Sequence, residues 1–333
     1  MNEPNPSTTI NWGVLGCANI ADKAVIPGII EATNANLYGI ASRNTEKLHD
    51  FAQRHKPTKS YGSYEDLLED PAIDAVYIPL PNGLHYQWTL KALEKGKHVL
   101  CEKPMGVTPQ EVEKLFVTAK LHGVHLMEAF AYRHSPLVSR IKDLCTSGAI
   151  GQLTYIDSQF SFRLEDLENV RLSPELAGGA TYDIGCYNLS IIRYLAGEEP
   201  STIQAVGDVG ATSNVDETSI ANLVFPSGLK ATSFCSFRAP FRSEFTVMGT
   251  KGMIRVPVGF NSKGTLKITL HQGPKSEQIQ GITIEAPDNY MLEVEQFGRV
   301  ITQGEKPVVD QVESMGNARV IDEILKQIGY PGR

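Results

Sequence analysis

Apolar and polar positions alternate in two rhythms along the first 130 residues, and the switches between them predict the elements. Compact apolar runs at Ile10–Leu15, Leu37–Ala41, Ala75–Pro79, His98–Cys101 and His125–Ala129 read as strands. The stretches Ala21–Ala32, Thr45–His55, His85–Lys95 and Pro109–Leu121 read as helices. Pro27 lies inside the first helical stretch. It lacks the amide hydrogen that the helix ladder needs, so a kink or division is expected there. Strands alternating with helices of about 10–15 residues predict βαβ units and a parallel sheet.

The pattern changes near residue 150. Gln152–Phe162 alternates polar and aromatic residues as a strand does, and Asp183–Ala196 reads as a helix. Seven strand-like runs follow: Thr202–Gly207, Ser219–Phe225, Leu229–Phe237, Ser243–Gly249, Gly252–Val258, Leu266–His271 and Gln278–Glu285. Tight turns such as Pro226-Ser227-Gly228 join them, which favours antiparallel pairing. Helical patterns at Tyr290–Gln303 and Gln311–Ile328 close the chain. The expected fold is α/β: an N-terminal Rossmann domain over residues 1–130, then an α+β domain over 131–333 built on a mostly antiparallel open sheet.

A length of 333 residues agrees with two domains. A formal charge of -7 argues against a nucleic-acid partner, which needs a basic face. The opening stretch Met1–Thr9 is polar and shows no signal-peptide pattern, and no apolar run approaches the roughly 18 residues of a membrane span. Five scattered cysteines without C-x-x-C spacing point to a reducing cytoplasm. The eight histidines show no ligand spacing, so no metal is expected.

Between the first strand and helix, Gly16-x-Ala18-x-x-Ala21 stands where the dinucleotide fingerprint has G-x-G-x-x-G/A. Small residues there let the backbone approach a pyrophosphate, and a helix N-terminus attracts anions. The same residues also suit a strand–helix turn with no ligand. The second strand ends in Ser42-Arg43-Asn44, with Lys47 one turn on and no acid at the end of the strand. NAD sites usually carry an acid there for the ribose 2′-hydroxyl. Ser42, Arg43 and Lys47 instead suit a 2′-phosphate, favouring NADP(H) with NAD possible. Alternatively, Ser42 caps the next helix and Arg43 is merely solvated.

Glu102-Lys103-Pro104 stands at the end of the fourth strand, where open α/β sheets bind ligands, although the three-residue motif alone favours a surface turn with a solvated lysine. Asp183 and Tyr187 are spaced i, i+4, so a helix would present both on one face. A carboxylate and a phenol there could share a substrate hydroxyl, or they could be a first-turn acid and a core aromatic.

Taken in order, these marks resemble the glucose–fructose oxidoreductase, inositol dehydrogenase and MocA family over nearly the whole chain. They are Trp12–Ala21, Pro79-Leu-Pro-Asn82-Gly-Leu-His85, Glu102-Lys103-Pro104, Met127-Glu-Ala-Phe-Ala-Tyr-Arg133 and Gly178–Tyr187. Asn169–Tyr187 is similar to the branch containing dimeric dihydrodiol dehydrogenase and NADP-dependent D-xylose dehydrogenase.

The resemblance implies that Gly16, Ala18, Asn19, Ile20, Ser42, Arg43, Lys47, Leu80, Pro81, Asn82, His85, Glu102, Lys103 and Arg133 serve the cofactor. It implies that Lys103 and Asp183 are catalytic, with Tyr187 where many members have histidine. It further implies a carbohydrate or cyclic polyol substrate bound between the domains, and a homodimer or homotetramer formed through the open sheet. Phe160, Phe162, Arg163 and Arg171 are candidates to line the substrate pocket. The expected activity is reversible hydride transfer between NADP(H) and a hydroxyl or carbonyl carbon. Tyr187 exchanges the proton and Lys103 stabilises the developing charge, or Lys103 moves the proton itself. The rivals are a trans-dihydrodiol dehydrogenase, a non-catalytic NADP(H) sensor and a partner-binding protein on a borrowed fold.

Overall fold

The computed structural model describes residues 9–273 and 275–331. The polar opening stretch read above as lacking a signal peptide therefore lies, up to residue 8, outside the described residues. The described chain divides into two compact units: residues up to Arg133 with Asp288–Ser314, and His134–Pro287 with the segment from Met315 onward.

The first unit holds six strands, β1 (Ile10–Leu15), β2 (Ala35–Ala41), β3 (Lys59–Tyr61), β4 (Ala75–Ile78), β5 (His98–Glu102) and β6 (Leu126–Ala129). All pair in parallel in the order β3-β2-β1-β4-β5-β6, the order of a Rossmann sheet. A parallel sheet is covered on both faces, so its central strands need continuous apolar runs rather than alternation. Trp12, Val14, Leu15, Val76, Tyr77, Ile78, Val99 and Leu100 are accordingly all buried. Each large side chain removed from water contributes roughly 1.5–3 kcal/mol.

A π-helical turn at Ala21–Val25 precedes α1 (Ile26–Glu31). The expected helix is thus not divided but changes from π to α geometry just before Pro27, which falls in the first turn of the α segment, a position that tolerates the missing donor. The other crossovers are α2 (Thr45–His55), α3 (Tyr64–Glu69), α4 (Asn82–Glu94) and α5 (Pro109–His122). Three of them start at side-chain caps: Asn44 for α2, Ser63 for α3 and Thr108 for α5. The pattern had not disclosed β3 and α3, which have only three and six residues.

In the second unit, α6 (Pro136–Thr146) precedes β7 (Leu153–Ser161). A π-helical turn at Thr181–Gly185 leads into α7 (Cys186–Ala196). Seven strands follow: β8 (Thr202–Val209), β9 (Asp216–Val224), β10 (Lys230–Ser236), β11 (Arg242–Gly249), β12 (Gly252–Val256), β13 (Gly264–Gln272) and β14 (Gln278–Ala286). The eight form one sheet in the order β14-β13-β12-β11-β7-β10-β9-β8, antiparallel except for β7 beside β10. Ala221, Leu223, Ala231, Val247 and Ile254 are buried on one face, and α7 is tied there by Ser158, which donates to Asn188 Oδ1 at 2.8 Å. The other face stays open: Ile220, Val224 and Met248 alternate outward, and Val206 is 67% and Ile279 62% exposed. After β14 the chain forms α8 (Asn289–Gln303) and α9 (Gln311–Gln327).

Residues 288–314 count with the first unit, where α8 packs on the Rossmann sheet. Phe297 meets Trp12 at 5.8 Å between ring centroids, and Thr33 donates through its hydroxyl and its amide to Glu295 at 2.8 and 3.0 Å. Among the described residues, no helix is long and apolar enough to cross a membrane, and no group of three or more His, Cys, Asp or Glu side chains is disposed to hold a metal.

Candidate active site

In the first unit the expected cofactor residues gather along one edge, at the carboxyl ends of the strands. After β1, Gly16 adopts φ +115°, a conformation that side chains rarely take, and a Cβ there would lie 3.0 Å from Leu80 Cδ2. That glycine lets the loops after β1 and β4 approach each other. The helical run that follows opens at Asn19, and the Asp22 amide donates to the Ala18 carbonyl at 3.0 Å, so the N–H groups that face an anion are those ahead of Asp22. This start behind a small-residue loop fits a dinucleotide pyrophosphate, with Ala18, Asn19 and Ile20 supplying the backbone.

At the end of β2, Ser42 does not cap α2. Its hydroxyl accepts the Asn44 amide at 3.1 Å, while the Asn44 side chain caps the helix by accepting the Lys47 amide at 2.9 Å. Arg43 and Lys47 are exposed, and the Arg43 guanidinium lies 5.4 Å from the Tyr64 ring centroid. Two solvent-facing cations beside a buried hydroxyl match a 2′-phosphate better than a 2′-hydroxyl.

The turn after β5 is braced on both sides. Glu102 accepts the Tyr77 hydroxyl at 2.6 Å and the Lys103 amide at 3.3 Å. Glu128, on β6, accepts the Met105 amide at 2.9 Å. His85 is buried, with Nδ1 2.7 Å from the Pro104 carbonyl oxygen and Nε2 2.6 Å from that of Leu80. Burial pushes its imidazole down to about 4, against the pull of the two carbonyls. Neutral at that value, the ring has one N–H and donates to one of the two carbonyls, while its buried body fills the space between the loops after β4 and β5. Leu80 and Pro81 lie in the first of those loops, and Asn82 begins α4. Arg133 sits in a short 3₁₀ turn, buried, 3.3 Å from Glu313 Oε2.

In the second unit, Gly179 adopts φ +121°, and Asp216 accepts both the amide and the hydroxyl of Thr181 at 2.7 Å, fixing the start of the π turn. Burial raises the Asp216 carboxyl to about 7, even though those bonds favour its charged form. Asp183 lies in this π turn and Tyr187 in α7, so the i, i+4 spacing does not run through regular α-helix as expected. What the structure brings together is Asp183, Tyr187 and Arg171. Arg171 Nε donates to Asp183 Oδ2 at 2.6 Å, and the guanidinium also senses the Tyr187 phenol.

Tyr187 packs against Phe160 at 5.7 Å and Phe260 at 5.3 Å between centroids. Phe162, partly buried, packs on Phe237 at 5.2 Å, against a buried cluster that Phe160 also borders. Arg163 is exposed and pairs with Glu165 at 3.4 Å, away from this group. Sequence reasoning missed Phe260, Asp216 and Glu128. An aromatic between Gly259 and Asn261 was a usable signal; the two acids carried none.

Residues 10–130 match an oxidoreductase family with an NAD-binding Rossmann fold, and residues 138–255 match the GFO/IDH/MocA C-terminal domain. The chain is 38% identical over 316 residues to D-xylose 1-dehydrogenase (NADP(+)) 2 of Haloferax volcanii, covering 95% of this chain and 96% of that protein. It is 30% identical over 332 residues to trans-1,2-dihydrobenzene-1,2-diol dehydrogenase of Xenopus tropicalis, covering 96% and 99%. The 3-ketoreductase KijD10 of Actinomadura kijaniata, solved with NADP and TDP-benzene, is similar with a TM-score of 0.90 at 26% identity over 96% of this chain and 98% of that one. By both domain matches and by these full-length relatives, the chain belongs to the glucose–fructose oxidoreductase, inositol dehydrogenase and MocA family of oxidoreductases.

Proposed function

We propose that the protein is an NADP(H)-dependent oxidoreductase acting on a sugar, sugar derivative or cyclic polyol. The observation that carries this reading is the assembly of a small-residue loop, Ser42 with two exposed cations, and the braced Lys103 turn along one edge of a parallel sheet. NADP(H) is favoured over NAD(H) by the absence of an acid at the end of β2. The D-xylose dehydrogenase relative, NADP-dependent by name, agrees.

The nicotinamide, when bound, accepts or supplies a hydride at a hydroxyl or carbonyl carbon. Gly16, Ala18, Asn19 and Ile20 hold the pyrophosphate, and Ser42, Arg43 and Lys47 hold the adenosine 2′-phosphate. Leu80, Pro81, Asn82, Glu102 and Arg133 shape the nicotinamide end, with His85 positioning two of those loops. Lys103 stabilises negative charge on the reacting oxygen. Tyr187 exchanges the proton there, with Arg171 beside it to favour the phenolate. Asp183, oriented by Arg171, holds a neighbouring substrate hydroxyl. Phe160 and Phe260 give the sugar ring an apolar wall.

That aromatic wall also favours a second reading, a trans-dihydrodiol dehydrogenase, since it would equally receive an aromatic diol. The working domain division is a cofactor domain over 1–130 and a substrate and oligomerisation domain over 131–333, save for residues 288–314, which count with the first unit. The open face of the second sheet, with Val206, Ile220 and Ile279 exposed, supports a homodimer or homotetramer. The cytoplasm is the proposed compartment.

A tryptophan-fluorescence titration with NADPH and NADH, followed by turnover on aldoses, inositols and dihydrodiols, tests the reading. NADPH binding tighter than NADH, with turnover of one sugar, is expected. Failure to bind either nucleotide sinks it. Lys103→Met with undiminished turnover at saturating substrate sinks the assigned chemistry.

A further inference from the structure

Glu293, on α8, is completely buried, and neither of its carboxyl oxygens has a hydrogen-bond partner among the described residues. The charge of Glu102 acts on it, and both acids act on the Tyr77 hydroxyl. The hydrogen bonds separate the two. Glu102 receives the Tyr77 hydroxyl and the Lys103 amide, donors that favour a carboxylate. Glu293 receives none. Two carboxyls that sense each other away from water do not both ionise, and the proton stays on the one with no donors.

We infer that Glu293 is a positioning residue that remains a neutral carboxylic acid in the working protein, so that Glu102 stays charged and keeps hold of the Lys103 turn. Burial, with the negative charge of Glu102 added, pushes the Glu293 carboxyl well above the usual range. The titratable groups in this neighbourhood are Tyr77 from β4, Glu102 from β5, and Tyr290, which precedes Glu293 on α8. Ionising Glu293 would place a second negative charge beside Glu102 and loosen both of its bonds. Glu293 is fully buried, so it acts through Glu102 and not on the reacting atoms.

The functional part of this inference rests on the role proposed for Lys103; the protonation state does not. Infrared spectra of the full chain in water and deuterium oxide at neutral pH should show the carbonyl stretch of protonated carboxylic acids, and Glu293→Gln should lose the Glu293 part of it, leaving the contribution of Asp216, whose carboxyl is raised to about 7. A wild-type spectrum without that band, or a band of undiminished intensity in Glu293→Gln, overturns the assignment. In kinetics, Glu293→Ala should lower kcat roughly tenfold with little change in NADPH affinity, an effect confined to the chemical step. Glu293→Gln, neutral and of the same shape, should restore most of that loss. If Glu293→Gln is as impaired as Glu293→Ala, an ionised acid is required and the inference falls. The infrared arm needs no substrate and no alanine variant, so it decides the matter even where Lys103→Met leaves turnover intact or the alanine variant does not fold.

Discussion

Arg171 and Asp183, twelve positions apart in the chain, meet as a 2.6 Å ion pair. The sequence reading had set the arginine to line the substrate pocket and the aspartate to serve catalysis. The pair makes them one device: the guanidinium fixes the carboxylate and is itself held in its charged form by it. Arg171→Met should therefore act as a catalytic defect. A charge-assisted hydrogen bond is worth about 1.5–3 kcal/mol, so kcat should fall roughly 10–100-fold. NADPH affinity should not move. Steady-state kinetics beside a fluorescence titration checks this; weakened NADPH binding with normal kcat would assign Arg171 to the cofactor instead.

Arg43 faces solvent beside Ser42, with its guanidinium over Tyr64. Arg43→Ala should weaken NADPH binding about 10–100-fold, the value of one or two charge-assisted contacts, and leave NADH binding unchanged. Equal losses for both nucleotides would mean that the arginine meets something other than the 2′-phosphate.

His98 stacks on His125 at 5.3 Å, and its Nδ1 accepts the His125 amide, which requires a lone pair there. Burial pushes its pKa down to about 4, with His125 adding to the shift. The ordinary value is near 6.5, so between pH 6.5 and 4 the unfolded chain binds the proton and the folded chain does not. Stability is complete above about pH 6.5 and falls as the solution is acidified, by at most about 1.4 kcal/mol per pH unit for this group and less for the solvent it retains. Denaturant unfolding at several pH values should show the slope, and His98→Asn should reduce it, leaving the share that His85 contributes over the same window. An unchanged slope in that variant would refute the assignment.

Phe260 joins Phe160, Tyr187 and Phe245 in one aromatic group, its centroid 6.1 Å from that of Phe245. Phe260→Ala should cost about 3–5 kcal/mol of stability in urea unfolding, as large-to-small changes at buried aromatics do. In the folded fraction, KM for a dihydrodiol should rise more than KM for a sugar, because stacking matters more to the flatter ligand. The reverse order would remove Phe260 from the substrate wall.

The alternation of strands and helices made the Rossmann half legible, because the apolar runs of β1, β4 and β5 are what a doubly covered parallel sheet demands. The loops at its edge were legible as a set, since strand, small-residue turn and helix follow in the order that the fingerprint needs. The arginine that meets Asp183 was visible only as a basic residue in a loop. Its pairing depends on Gly178 and Gly179 turning the chain back, which no periodicity encodes. Glu293 left a faint trace, an acid at a buried position between Tyr290 and Phe297 of an amphipathic helix. α6 was equally readable, with Leu137, Val138, Ile141, Leu144 and Cys145 buried at helical spacing, but it lay at the seam between two patterns.

The return of residues 288–314 to the first unit has a consequence for synthesis of the protein. Phe297 covers Trp12, so the nucleotide-binding sheet cannot complete its core as it leaves the ribosome. It waits until residues 134–287 have been translated, on the order of 10–30 seconds at typical elongation rates. During that interval an apolar sheet face stands uncovered, and the nascent chain becomes a natural client for chaperones that shield such surfaces.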